Sequence, residues 1–509
     1  MTQESRTRPK PGLVFLIALL ALSLVAALIW PLLNRWENRS EADRGGTVRI
    51  GARQAPASLD IRTEEGQGVT QALLGNVYQT LVGLDAQGKP VPDAAEQWDA
   101  SADGLTYTFH LRPGGEFEDG SPLDSNAVLW SLQQTVQNKY VGYQDLDNLA
   151  RVTNPAADRL VLELKSPDAR LPYLLAGRAG IIYNRGARVN YATQSAGSGP
   201  YAVDEYRNGE ELTLRRSKTY HGPHKAAMGT VILSYQADSK GQAQQVADGR
   251  LDAAVDLGAQ EAGAARNMKG FASSTGVSRN NLVLAFNNSK TSILSDQRFK
   301  EAVRYGVDRP AIAAGSNGTA KALNGPVNEL SVGYDGSYAP YQHDANKARS
   351  LAAYFNPSYY HGHLRLVYDK GLGDDIGQQI RGQLAAAGIP VEVSALDQTA
   401  FQDQVVSKHD YELTLLTMTN DDIARFADPN SVMLFDDTEC QQLFQLATAA
   451  KTDQEYTDRL KQYVRSLGDK SPSDWLSART PVNVRAFRLK GLDQNMTDER
   501  LAAWQLDRG

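Results

Sequence analysis

Residues 364–395, LRLVYDKGLGDDIGQQIRGQLAAAGIPVEVSA, read as strand, helix, strand. Leu364–Tyr368 is a short apolar strand signal. Ile376, Ile380 and Leu384 then recur at helical spacing, Gly388 before Pro390 stops the helix, and Val391–Ala395 returns to a strand. Two strands joined through a helix lie parallel, with a right-handed crossover. Gly371-Leu-Gly373-Asp-Asp-Ile-Gly377 has the look of a dinucleotide loop. Its third glycine falls one place late and Tyr-Asp-Lys precedes it, so it reads as a turn opening the helix.

Working outward, alternating strand patterns occur at Thr47–Ile50, Tyr107–Leu111, Arg159–Leu164, Glu211–Leu214 and Val231–Tyr235, each bounded by turn-forming residues. Gln242–Gly249 followed by Asp252–Val255 repeats the helix-to-strand alternation. One helix, capped by Asp124 or Ser125, carries Val128, Leu129, Leu132 and Val136. Another carries Phe299, Ala302, Val303, Gly306 and Val307, and both should lay one face on a sheet. The class is α/β. There is no repeat of fixed period, no low-complexity tract and no interdomain linker after residue 46, which points to lobes interleaved along the chain.

The N-terminal end differs in kind. From Gly12 to Asn34 no residue is charged, and 23 residues of helix span about 35 Å, enough to cross a bilayer. Arg6, Arg8 and Lys10 precede the run and hold residues 1–11 in the cytoplasm by the positive-inside bias. The expectation is a transmembrane helix over 12–34, a polar linker over 35–45 and an extracytoplasmic body over 46–509, single-pass in the cell membrane. A cleaved signal peptide is the competing reading. The apolar run exceeds the usual length for one, about 7–15 residues, and lacks a small-x-small site after it. No cysteine lies near residue 30 to carry a lipid.

With 53 basic and 59 acidic side chains the net charge is −6, which leaves no basic surface for nucleic acid. The one cysteine, Cys440, can make neither an internal disulfide nor a cysteine metal cluster. Enzyme signatures are missing: no G-x-S-x-G elbow, Walker A loop, H-E-x-x-H or S-x-x-K with K-T-G. His221/His224 and His361/His363 have metal-compatible spacing but sit among Gly, Pro and Tyr without a paired carboxylate, so no metal and no cofactor is expected.

Several separated segments resemble one family. They run in order: Gly46-Thr-Val-Arg-Ile50, Ala57-Ser-Leu-Asp60, Leu74–Leu84, Gly88-Lys-Pro-Val-Pro-Asp-Ala-Ala-Glu-Gln-Trp98, Asp103–Arg112 and Phe117–Leu123. Later come Gly197-Ser-Gly-Pro-Tyr201, Asp248-Gly-Arg-Leu-Asp252, Asp296–Arg309 and Asp428-Pro429. This series resembles the solute-binding proteins of peptide- and nickel-type ABC importers, bacterial solute-binding family 5, over nearly all of residues 46–509.

The resemblance implies a two-lobed periplasmic-binding-protein-like fold of the three-domain oligopeptide-binding kind. Lobe one would take about 46–86, 196–286 and 475–509, an inserted lobe 87–195, and a far lobe 287–474. It implies a monomer without catalysis that closes on oligopeptide or another small solute and presents it to permease and ATPase subunits. An anchored sensor of the same fold and an exported hydrolase are the alternatives.

Ligand-contacting residues are implied in two places: Ser58–Gln67, with Glu65 and Gln67, and Leu413–Asp428, with Thr417, Thr419, Asn420, Asp421, Asp422 and Arg425. Peptide binders resemble one another in an aspartate four residues before the proline, which meets the ligand's ammonium. Here that position is Arg425, whose charge would repel one by roughly 4 kcal/mol at about 4 Å. Either Asp421 or Asp422 substitutes, or the ligand class has changed, or Arg425 turns to solvent or pairs with Asp428.

Overall fold

The structure, a computed structural model, describes residues 45–508 apart from 236–240, 357, 359–361 and 493–495. Residues 1–11, expected in the cytoplasm, the run 12–34 and all but the last residue of the expected linker lie outside the described residues. No helix among the described residues is long and apolar enough to cross a membrane.

Two large mixed sheets organise the body. The first has seven strands, in the order Phe271–Thr275, Val482–Ala486, Ala253–Ala254, Thr47–Ala52, Thr230–Tyr235, Glu211–Arg216 and Tyr201–Arg207. Thr47–Ala52 is central and parallel to both neighbours, with Ile50 opposite Leu233 on one side and Ala253 on the other. Its alternation sends Val48, Ile50 and Ala52 into a core with Leu73, Tyr78 and Tyr201. Gly197 and Gly199 lead into Tyr201–Arg207 because a Cβ on either would collide with the carbonyls of Val77 and Asn76.

The second sheet has six strands: Ala320–Ala322, Ser473–Arg479, Asn280–Phe286, Leu413–Thr419, Leu364–Asp369 and Val391–Leu396. Leu364–Asp369 and Val391–Leu396 are parallel, joined through the helix Asp374–Ala386, with Gly388 left-handed at φ 79° where that helix ends. Both faces are covered. Val283 and Ala285 enter one core with Trp475, while Leu284 and Phe286 enter another with Phe299, Val303 and Leu384.

An antiparallel four-stranded sheet, Ala95–Ala100, Thr106–Leu111, Arg159–Leu164 and Leu149–Ala156, forms the inserted lobe. The helix Ser125–Gln137 covers it. Asp124 caps that helix by accepting from the Asn126 and Ala127 amides, and Val128 and Leu132 are buried. Val136, expected on the same stripe, is 46% exposed, near the C-terminal end of the helix.

The boundary between the large lobes differs from the sequence division. Asn280–Phe286, assigned above to lobe one, hydrogen-bonds on one side to Leu413–Thr419 and on the other to Ser473–Arg479. The chain therefore crosses between the large sheets at 276–279 and 480–481, and both crossings flank the space described next.

Candidate ligand-binding cleft

The decisive corner is the end of the strand Leu413–Thr419. Its backbone runs into a 3-10 turn, Asn420–Ala427, with Thr419 as cap. Asp422 accepts from the Thr419 amide at 2.7 Å and hydroxyl at 3.0 Å, which closes a capping box. Asn420 turns inward. Its side-chain oxygen accepts from Asn281 at 3.0 Å and from the Asn328 amide at 3.2 Å, and its amide donates to Asn328 at 2.8 Å. Asn328 in turn donates to Asn281 at 2.9 Å, so three buried asparagines satisfy one another and fix where the turn begins.

This turn faces a cleft of about 610 Å³ between the lobes. The far lobe supplies Thr419, Asp421, Asp422 and Arg425, the inserted lobe Asp145, Arg170, Tyr173 and Arg178, and lobe one Thr70, Glu499 and Arg500; Arg279 reaches in from the first crossing. Thr417 pairs its backbone with Leu282 and is not on the wall. Asn420 borders a small adjoining cavity of about 50 Å³ beside Tyr173 and Tyr456. Glu65 and Gln67 also lie off the wall; Gln67 opens the helix Gln67–Leu73, and Thr70, one turn on, reaches the cleft.

The charges are paired both across and within lobes. Arg279 bridges Asp421 at 2.9 Å and Glu499 at 3.5 Å, and those two carboxylates raise its pKa above the usual arginine value despite its desolvation. Arg170 pairs with Asp168 at 2.8 Å. Arg425 pairs with Asp422 at 2.8 Å rather than with Asp428, and its side chain stays 58% exposed. Arg178 donates to the carbonyls of Ile61 and Glu64 and to the Thr70 hydroxyl, tying 61–70 to the inserted lobe. Desolvation pushes the Asp145 carboxyl up to about 6; the Asp421 charge adds to the rise, while Arg170 and Arg279 oppose it.

On the far side of Arg170 the lobes touch directly. The Ala169 amide donates to the Thr448 carbonyl at 3.0 Å, Tyr173 packs on Tyr456 at 6.1 Å between ring centres, and Arg170 lies over the Phe444 ring. The cleft is thus bounded by chain crossings on one side and an interlobe contact on the other.

Asp145, Arg178, Arg279 and Arg500 are wall residues that sequence reasoning missed. Each is a single charged residue in an irregular stretch or at an element end, and only the tertiary fold gathers them. Among the described residues no group of three or more His, Cys, Asp or Glu side chains is arranged to hold a metal. His224 stacks on Trp504 at 4.3 Å and His363 pairs with Glu392 at 2.9 Å; His361 lies outside the described residues.

Two α/β lobes with an inserted third, enclosing a polar cleft beside the crossings, define a solute-binding protein of the periplasmic type. The chain belongs to the bacterial extracellular solute-binding proteins, family 5, whose middle-region model matches residues 89–436. It is similar to the glutathione-binding protein GsiB of Escherichia coli (strain K12), 26% identical over 339 residues, 65% of this chain and 65% of that protein. The match thus spans just under two thirds of the curated relative's length.

Among solved structures it is similar to HbpA2 from Haemophilus parasuis, with TM-score 0.79 and 17% identity, covering 91% of this chain and 99% of that one. It also resembles DppA from Helicobacter pylori in complex with peptide STSA, with TM-score 0.74, 17% identity, and coverage of 91% and 98%. The family is one of solute-binding proteins, not of enzymes.

Proposed function

We propose that this chain is the substrate-binding protein of an ABC importer, capturing oligopeptides or a related solute by lobe closure and delivering them to a permease with its ATPase. The observation that carries the reading is the cleft: about 610 Å³, within the range of small-molecule sites, with charged side chains contributed by all three lobes. Closure about 276–279 and 480–481 would bring the strand end at Thr419 against the ligand backbone, which gives affinity with little side-chain selectivity. A relative that binds glutathione and a structural neighbour holding a peptide support a peptide-class ligand.

The position of Arg425 shapes how such a ligand would sit. Asp422 is committed to Thr419 and Arg425, and Asp421 is shared with Arg279, so a ligand ammonium would compete with Arg279 for Asp421 or be met by Asp145, which lines the same cleft from the inserted lobe. The apolar run 12–34 supports a receptor held on the outer face of the cytoplasmic membrane, where tethering raises its concentration near the permease.

Calorimetric titration of the purified protein with glutathione and short alanyl peptides tests the ligand class, and uptake of the same peptides by a deletion strain tests transport. Saturable heat and lost uptake are expected. No heat with any peptide, with uptake intact, rejects the reading. Fractionation tests the anchor: the full chain should sediment with membranes and a chain starting at residue 46 should not.

A further inference from the structure

Five arginines stand on the cleft wall, and four have their work assigned. Arg170 is held by Asp168, Arg279 by Asp421 and Glu499, and Arg425 by Asp422, while the head of Arg178 is taken up by Ile61, Glu64 and Thr70. Arg500 differs. Among the described residues it makes one side-chain hydrogen bond, from Nη2 to the Ala176 carbonyl at 2.8 Å, and no ion pair. A guanidinium carries five N–H donors in a planar fork suited to a carboxylate, and most of this one is left over.

Among the described residues neither neighbouring acid forms an ion pair with it, and the charges of Glu499 and Asp93 offset its desolvation only in part. Glu499 accepts from the Ser278 hydroxyl at 3.1 Å and faces Arg279 at 3.5 Å. Half-buried, and next to the Arg279 charge, the Arg500 guanidinium is pushed down to about 10, chiefly by desolvation, so an anion arriving beside it would be held strongly. Its backbone is also held in place. Asn76 donates to the Leu501 carbonyl at 2.6 Å and accepts from the Ala503 amide at 3.0 Å, and the Leu501 amide donates to the Gln71 carbonyl at 3.2 Å. A cation mounted on a stapled segment, facing a solute cleft with its donors unspent, is pre-organised for an anionic group.

We infer that Arg500 is the specificity-determining residue for a carboxylate on the ligand, so that the solute taken by this cleft is a carboxylic acid seated with that group against the C-terminal segment of lobe one. The inference rests on the cleft being the solute site. With Asp145 and Asp421 elsewhere on the same wall, the arrangement fits a molecule bearing an amine and a carboxylate at separate points.

The test uses two probe pairs titrated into the purified full chain: trialanine with its C-terminal amide, and glutarate with glutaramide. In the unaltered protein the acid of at least one pair should bind about tenfold or more tightly than its amide, as expected when a charged hydrogen bond is lost. Arg500→Gln should bring that ratio to within about twofold while leaving the amide's affinity unchanged, and Arg500→Lys should retain part of the preference. Equal melting temperatures for the variants show that the fold is intact.

A preference that survives in Arg500→Gln overturns the inference and leaves the peptide reading standing. A preference confined to glutarate and lost in Arg500→Gln supports Arg500 but rejects the peptide reading. Failure of both acids to bind the unaltered protein overturns both.

Discussion

Two groups of arginines in this molecule stand in opposite circumstances. In the far-lobe core, Arg304 and Arg309 are 0% and 3% exposed in their side chains and converge on one oxygen of the fully buried Asp474, at 3.2 and 2.8 Å. Arg304 also donates to the Gly468 carbonyl and the Ser471 hydroxyl and lies 4.0 Å over the Tyr341 ring. In the cleft the arginines are partly solvated, each on its own partner, and one keeps most of its donors unused. The same side chain thus serves cohesion where water is excluded and recognition where a solute can still enter. The difference lies in what remains unsatisfied rather than in the count of charges.

The largest expected effect breaks the core group. Asp474→Ala leaves two buried guanidinium groups without their carboxylate and should cost about 3–5 kcal/mol, read from the denaturant midpoint. A midpoint close to that of the parent would remove the distinction between the two groups.

Next is the asparagine triad. Asn328→Ala strands donors and acceptors on Asn281 and Asn420 and should cost about 1–3 kcal/mol. It should also loosen the turn at Asn420–Ala427, visible as faster amide exchange there.

Asp422→Ala should follow, opening the capping box it forms with Thr419, at about 0.5–2 kcal/mol, and freeing Arg425. Ligand affinity should fall with it. Arg425→Ala should weaken binding while moving stability by no more than about 0.5 kcal/mol, since an exposed pair contributes little. Unchanged affinity in both variants would put the solute elsewhere.

The smallest effect concerns Asp145, whose pKa in the fold is about 6 against a usual 3.8. A raised carboxylate pKa favours the protonated native state. Its contribution to stability is therefore fully present below about pH 3.8 and is lost as pH rises to about 6. Asp145→Asn should raise the melting temperature slightly near pH 7.5, with the gain vanishing toward pH 4. A gain independent of pH would mean that this carboxyl is not desolvated in the cleft.

Much of the architecture was legible because local period and tertiary environment agree. The β-α-β unit of 364–396 is an example: strand run, helical stripe and Gly388 all name the same element boundaries. Val136 continued a stripe by spacing alone and is exposed in the last turn of its helix. Asn280–Phe286 was recognisable as apolar chain, but sheet membership is a long-range property, and its partners lie more than 120 residues away at 413–419 and 473–479.

The cleft divides in the same way. Thr419, Asp421, Asp422 and Arg425 share one short turn, so a single motif locates them together on the wall. Thr417 pairs its backbone within the sheet, Gln67 lies about one helical turn before Thr70, which reaches the wall, and Glu65 precedes that helix off the wall. Asp145, Arg178, Arg279 and Arg500 come from four separate segments with no shared periodicity, and only the tertiary fold brings them together.

The most direct measurement is native mass spectrometry of the purified protein, stripped of co-purified ligand and then offered mixtures of peptides, sugars and metal ions. The account predicts one peptide per chain, drawn from a ladder of bound peptide masses, with the sugars and free metals left behind. Retention of a sugar or a metal ion in place of every peptide would contradict it.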